Sequence, residues 1–427
     1  MRIVHLAAGA AGMYCGSCMH DNRLAAALRA RGRDVVLVPL YTPLRTDEPD
    51  VSERRVFYGG VNVYLQQIAG VFRRTPRVLD RLLDAGVLLR AVGRFAARTR
   101  PEALGAMTLS VLRGEDGAQR KELRKLSAGL AALRPDLVQL PNLMFAGVAR
   151  RLKSELGVPV LCGLTGEDVF LDRLPELYRK EAFEIIRQRA VDVDGFVALT
   201  AYYARHATEH FGLPAQRVHR IPMGIHIGDF GAPATPPETP FTIGYLARIS
   251  PEKGLDELAR AFAALRCNGR DCRLRVAGYL GAADRPYLDG VRDAVRQAGA
   301  DDRFEYVGEV TREQKIAFLR SLHVLCVPTW YPESKGFYVL EALAAGVPVV
   351  QPSHGSFPEL IAATGGGLLY DAGNPRALAD GLSRLMDDGT LRRELAARGR
   401  AAVHERFSAE RMADAAWQLY TSGWPRC

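Results

Sequence analysis

Residues 328–350 read Pro328-Thr-Trp-Tyr-Pro-Glu333-Ser-Lys-Gly336-Phe-Tyr-Val-Leu-Glu341-Ala-Leu-Ala-Ala-Gly346-Val-Pro348-Val-Val. The apolar run closing at Val327 predicts a strand, the two prolines a loop carrying Glu333, and the stretch from about Gly336 a helix. Glu341 then sits about a turn inside that helix. Eight residues of continuous helix would part the two carboxylates by ~12 Å and ~80°. The loop relaxes that geometry and can turn both to one side. Glu341 is followed by the apolar run 342–345. It is therefore expected to be buried, with a hydroxyl-rich ligand as partner.

The same strand-then-helix alternation extends through most of the chain, the pattern of a parallel sheet covered on both faces. One series of strands is expected at 3–8, 33–40, 136–140, 159–164 and 195–199, with a helix at 20–31. A second begins at 241–246 and continues at 274–277, 304–307, 324–327 and 348–350. Between them, residues 228–240 hold four prolines and two glycines without periodicity, which marks a domain boundary. The domains are therefore set at 1–228 and 241–405, with a last helix in 406–427 read as packing back on the first domain. The fold class is α/β, two Rossmann-like doubly wound domains facing across a cleft. Strand C-termini and helix N-termini would line that cleft and suit a phosphorylated ligand.

Composition agrees with this and excludes other classes. A chain of 427 residues with 48% hydrophobic and 25% charged residues is globular and long enough to build large cores. Seven scattered cysteines make no disulfide framework and point to a reducing compartment. No run reaches the roughly 18–20 apolar residues of a membrane span. The opening Met1-Arg2 and the apolar run after it contain His5 and lead into a Gly-rich turn. They read as a first strand, not a leader, and the location expected is cytoplasmic.

The net charge of +9 is spread unevenly: residues 71–125 hold 13 Lys/Arg against 6 Asp/Glu. Within it Val78, Leu82, Leu89, Val92 and Ala96 recur at helical spacing among Arg77, Arg81, Arg90, Arg94 and Arg98. An amphipathic basic helix in peripheral contact with anionic membrane is one reading, a solvated arginine face the other. No nucleic-acid motif accompanies the charge, so no nucleic acid is expected as a partner.

The quoted stretch resembles the signature of retaining, family-4 glycosyltransferases of the GT-B fold: Glu-x7-Glu followed by Ala-x-Ala-x-Gly-x-Pro-Val. Glu333 and Glu341 match the paired glutamates, and Gly346 and Pro348 complete the match. After the first strand of the second half, Ala247-Arg248-Ile-Ser-Pro-Glu-Lys253-Gly254 resembles the family's Gly-Arg-Leu-x-x-x-Lys-Gly, with alanine in place of the first glycine. The resemblance implies that Arg248 and Lys253 grip the diphosphate of a nucleoside-diphosphate sugar. Fixed cations there would stabilise the charge left on the departing nucleotide.

The resemblance further implies that Glu333, Gly336, Phe337 and Tyr338 meet the donor sugar and phosphate, and that Glu341 binds the ribose. Val276-Ala-Gly278-Tyr-Leu-Gly281 resembles the family's strand-turn with spaced glycines, and Tyr306-Val-Gly308-Glu-Val310 the segment whose backbone borders the base, which adds Gly278 and Val310 to the donor side. The donor is a substrate, and neither a cofactor nor a metal is implied. The acceptor expected is a glycan or a lipid-linked sugar.

The first half matches more loosely. Gly9-Ala-Ala-Gly12-Met-Tyr-Cys15-Gly16-Ser17 stands where the family has a Gly-rich loop near the substrates, with Gly16 the nearer counterpart and Gly12 the other. Leu164-Thr165-Gly166-Glu167-Asp168 resembles Leu-His-Gly-x-Asp, with threonine in place of histidine. Glu167 and Asp168 are then candidates for the acceptor side, or Asp168 for a helix cap.

Three features are set aside. Cys15-Gly-Ser-Cys18 has no second cysteine pair, Asp192-Val-Asp194 falls in a helix-to-strand turn, and His206 and His210 lack a third ligand. Two rival functions remain at this level: a nucleotide-sugar epimerase or hydrolase of the same fold, and a non-catalytic nucleotide-sugar or glycan-binding protein.

Overall fold

The computed structural model describes residues 1–9, 15–54, 56, 58–59, 63, 66–67, 101–237, 239–374 and 376–425. Gly12 and the proposed basic helix at 78–96 lie outside the described residues. The chain forms two compact units, Met1–Gly224 with Glu410–Cys427, and Ile225–Ala409.

The first unit holds a six-stranded sheet of β1 (Arg2–Ala7), β2 (Asp34–Pro39), β3 (Leu137–Leu140), β4 (Val160–Leu164), β5 (Gly195–Ala198) and β6 (Val218–Arg220). Its order is β2-β1-β3-β4-β5-β6, every pair parallel. The second unit holds β7 (Phe241–Leu246), β8 (Cys272–Ala277), β9 (Phe304–Gly308), β10 (Val324–Leu325), β11 (Val349–Pro352) and β12 (Gly367–Tyr370). Its order is β12-β11-β10-β7-β8-β9, again parallel throughout.

Central strands of such sheets are covered on both faces and read as unbroken apolar runs. All six residues of β7 are buried, whereas the edge strand β9 alternates with exposed positions. Each unit has its own core, around Leu6, Val138 and Phe196 in the first and around Ile243, Phe262 and Leu274 in the second.

Both sheets reverse their strand order once, between β1 and β3 and between β7 and β10. At such a point the chain leaves two adjacent strands in opposite directions and opens a crevice beyond their carboxyl ends. In the second unit that crevice is bordered by the loop after β7, with Arg248 and Lys253, and the loop after β10, with Glu333. The loops touch at Gly254 (φ +69°), where an added Cβ would lie 1.8 Å from the carbonyl oxygen of Pro328. Only glycine permits that approach. Gly278, after β8, closes the third side, since its Cβ would fall 1.8 Å from the carbonyl oxygen of Ala247.

The structure corrects several boundaries. The first helix starts at Gly16, not at residue 20, and the last ends at Tyr420. The Pro/Gly-rich stretch taken as the domain boundary belongs to the second unit, and the division falls at Gly224. Phe230 is fully buried there, and Ala234 N–H donates to the carbonyl of Ala345 at 2.8 Å. The short strands β6 and β12 were not anticipated.

Candidate active site

The crevice of the second unit is built around one buried carboxylate. Glu333 is only 5% exposed. Lys253 Nζ lies 2.6 Å from its Oε2 and 2.5 Å from the hydroxyl of Tyr331. The Tyr331 hydroxyl lies 3.1 Å from the same Glu333 oxygen and that of Tyr338 3.4 Å from it. The lysine ammonium also sits 5.0 Å from the centre of the Tyr331 ring, within cation–π range. Burial pushes the Glu333 carboxyl up, but the charge and hydrogen bond of Lys253 outweigh it and hold the group below the ordinary range. Burial drives the Tyr331 and Tyr338 phenols well up, so both are neutral.

Arg248 lies on the same loop as Lys253. Its side chain is 43% exposed and pairs with Glu252, four residues on. The carbonyl of Arg248 accepts from the Tyr245 hydroxyl at 3.1 Å, which ties the loop to β7. Gly336, in the left-handed region, precedes the helix Phe337–Ala344, whose first residues Phe337 and Tyr338 are half-buried. Glu341, one turn in, is buried but does not join Glu333. It pairs with Lys315, Nζ to Oε1 at 2.6 Å. The Gly278 carbonyl accepts from the Tyr306 hydroxyl at 2.9 Å, and Val310 is half-buried just after β9.

Sequence reasoning missed Tyr331, Glu252 and Lys315. Tyr331 stood in the quoted stretch itself. Glu252 stood in the quoted loop, four residues from Arg248, and Lys315, on a helix 26 residues before Glu341, carried no local signal.

In the first unit, Gly16 is the exposed first residue of the helix Gly16–Ala30, and an added Cβ would meet nothing within 4 Å. Among the described residues no contact demands glycine there. Thr165 and Gly166 direct their backbone N–H groups at the buried carboxylate of Glu167, at 2.9 Å each to Oε2. The Tyr203 hydroxyl lies 3.0 Å from that oxygen and 2.7 Å from Asp168 Oδ1. Glu167 and Asp168 thus brace the loop after β4. Asp168 also faces His206, Nε2 to Oδ2 at 3.3 Å, which raises the pKa of the imidazole. Asp168 opens the short helix Asp168–Leu171, and its side chain is turned to Tyr203 and His206, not used as a cap.

Of the features set aside, Asp192 pairs with Arg150 and Asp194 with Lys153, so both carboxylates serve ion pairs. His210 faces Asp172 at 3.1 Å. Among the described residues no group of three or more His, Cys, Asp or Glu side chains could hold a metal ion, and no helix is long and apolar enough to cross a membrane.

Two family models match the chain, Glycosyltransferase Family 4 over residues 59–228 and Glycosyl transferases group 1 over residues 231–402. Among curated proteins, the D-inositol 3-phosphate glycosyltransferase of Xylanimonas cellulosilytica is 28% identical, with 93% of this chain and 98% of the relative covered. The protein of that name from Salinispora tropica is 26% identical, over 83% and 79%.

Solved structures share the fold. Sucrose-phosphate synthase from Thermosynechococcus elongatus matches with a TM-score of 0.71 at 19% identity, covering 99% of both chains. The Anabaena protein HepE in complex with UDP matches at 0.69 and 16%, covering 99% of this chain and 100% of that one. The two parallel doubly wound sheets are the GT-B architecture. With both halves matched in chain order, the protein belongs to the group 1 glycosyltransferases of family 4.

Proposed function

We propose that this glycosyltransferase is a retaining, metal-independent enzyme that moves a sugar from a nucleoside diphosphate to an acceptor hydroxyl. The observation that carries the reading is the Lys253–Glu333 pair at the strand-order reversal of the second sheet, with Arg248 on the same loop. An ammonium has three donors. Lys253 can therefore hold Glu333 and Tyr331 and still meet a phosphate oxygen. Arg248 supplies the second cation, and together they stabilise the charge that grows on the leaving diphosphate.

Glu333, held ionised, accepts from hydroxyls of the donor sugar, beside Gly336, Phe337 and Tyr338. Glu341 accepts from the ribose, with Gly278 and Val310 beside the diphosphate and base. Gly12, Gly16, Thr165, Gly166 and Asp168 belong to the acceptor side, where the last three act through the braced loop after β4. The donor is consumed as substrate, and no cofactor takes part.

Retention follows a front-face route. The bond from the anomeric carbon to the phosphate oxygen breaks, and the acceptor oxygen bonds that carbon from the same face. The departing phosphate oxygen takes the acceptor's proton, so no protein nucleophile is assigned. UDP, seen with the Anabaena neighbour, is the first nucleotide to try. Proton NMR of the product should show the donor's anomeric configuration, and turnover should be unchanged by EDTA. An inverted product, or EDTA inhibition reversed by Mn²⁺, would overturn the reading.

For the acceptor, the reading takes a lipid-linked glycan reached by a cytoplasmic enzyme resting on anionic membrane. Its support is the local excess of 13 basic over 6 acidic residues in 71–125. Vesicles containing phosphatidylglycerol should sediment the protein at low salt and release it as salt rises. Changing Arg90 and Arg94 together to Glu should abolish sedimentation. Wild type left in the supernatant at low salt would turn the search to a soluble acceptor.

A further inference from the structure

The helix Arg312–Arg320 begins two residues after Val310, and its first turn is fixed from several directions. Thr311 and Gln314 form a capping box: Gln314 N–H donates to Thr311 Oγ1 at 3.3 Å, and Thr311 N–H to Gln314 Oε1 at 2.9 Å. Arg312 donates Nε to Asp229 Oδ2 at 3.1 Å and Nη2 to the carbonyl of His226 at 2.8 Å. Lys315, three residues on, reaches Glu341 Oε1 at 2.6 Å, and each of these two side chains is only 9% exposed.

A buried ion pair is a poor device for stability, because desolvating two charges offsets most of their attraction. An apolar pair of similar volume would serve the core as well. What the pair does supply is direction. With one oxygen fixed to an ammonium on a clamped helical turn, the rotation of the carboxylate is set, and so is the direction in which its other oxygen accepts.

We propose that Lys315 is a positioning residue, which holds the Glu341 carboxylate in the orientation that accepts hydrogen bonds from the ribose hydroxyls of a nucleoside diphosphate. The proposal rests on the assignment of Glu341 to the ribose made above. It adds that the helix behind the base segment and the helix behind the sugar loop are locked to one another through this contact. Binding of the base side and of the ribose are thereby coupled.

The test measures binding of UDP, GDP and ADP, and of their 2′,3′-dideoxy counterparts, by calorimetry to wild type, Lys315→Met, Lys315→Arg, Glu341→Gln and the double variant Lys315→Met/Glu341→Gln. Hydrogen bonds from two hydroxyls to a charged acceptor should make wild type prefer the ribose form about tenfold or more. Lys315→Met should lose most of that preference while its affinity for the dideoxy form stays near wild type, and Lys315→Arg should keep part of it.

The double variant should prefer ribose no less than Glu341→Gln alone, because the two residues act as one unit. It removes both charges together, so it serves even where Lys315→Met alone does not fold. A Lys315→Met protein with the full wild-type preference, or a double variant that loses more than Glu341→Gln, would overturn the proposal. If wild type binds a nucleotide but ignores its ribose hydroxyls, the assignment of Glu341 falls and the proposal with it. If wild type binds none of the three, the donor-site reading itself has failed.

Discussion

Lys253→Ala is expected to lower kcat/KM by roughly 30- to 900-fold, the loss of about 2–4 kcal/mol of transition-state stabilisation that one preorganised polar group provides. Two effects combine. The departing diphosphate loses its fixed ammonium, and Glu333 loses the cation 2.6 Å away that opposes its burial. The second effect has a signature of its own in stability. In the wild type the Glu333 carboxyl is held low, so its contribution is present above the unfolded-state pKa and is lost as pH falls through the folded one.

In Lys253→Ala the strongest group opposing burial is gone, leaving only the Lys335 charge and the Tyr331 hydroxyl against it, and the folded pKa is expected to rise above the unfolded one. The contribution is then present at low pH and lost as pH rises through the folded value. Melting temperatures between roughly pH 4 and 7 should therefore trend in opposite senses at this site. A folded Lys253→Ala protein with wild-type kcat/KM would remove the lysine from the mechanism.

The paired glutamates should separate in kinetics. Glu333→Gln keeps the size of the side chain but gives up charge-assisted hydrogen bonds, and it releases Lys253 from its partner. We expect kcat to fall on the order of 100-fold with little change in KM, the mark of an interaction made mainly in the transition state. Glu341→Gln touches a group that reads the nucleotide before and during reaction alike. It should weaken nucleotide binding about tenfold or more, with a smaller effect on kcat. Steady-state kinetics on both variants check this, and the reverse division of kcat and KM between them would exchange the two roles.

How far the site could be read from the chain follows from which contacts are local. The strand–loop–helix unit around Glu333 and Glu341 lies within about 25 residues, and turn chemistry and apolar runs located it to within a few positions. The burial of Glu341 was legible from the apolar run behind it. The partners were not. Lys253 and Glu333 are 80 positions apart and meet because β10 lies beside β7, a pairing set by the order of the whole sheet. Lys315 meets Glu341 across 26 positions, between two helices whose facing no local pattern records.

Elsewhere the pattern was too short to register. The edge strand β6 is only Val-His-Arg, and the opposite sheet's edge strand β12 only Gly-Leu-Leu-Tyr. In the first unit, the resemblance of Leu164-Thr165-Gly166-Glu167-Asp168 placed Glu167 and Asp168 on the acceptor side, and nothing in that stretch records which groups the two carboxylates meet inside the fold. The groups that occupy them, Tyr203 and His206, lie on the helix Ala201–Phe211, beyond the next strand.

The division of the chain also sets an order on its making. The second unit is continuous, residues 225–409, but the first is completed only by residues 410–427. Met412, Ala413 and Ala416 are fully buried, and Arg31 pairs with Asp414 at 2.5 Å. The Trp424 indole packs edge-on against His219. A chain emerging from the ribosome therefore has its first sheet ready long before the segment that covers it. At roughly 5–20 residues per second, the interval while the 200-odd later residues are made is ~10–40 s. Throughout it, a hydrophobic seat on the nascent amino-terminal half waits for residues 410–427, and the unit that begins folding first is the one that finishes last.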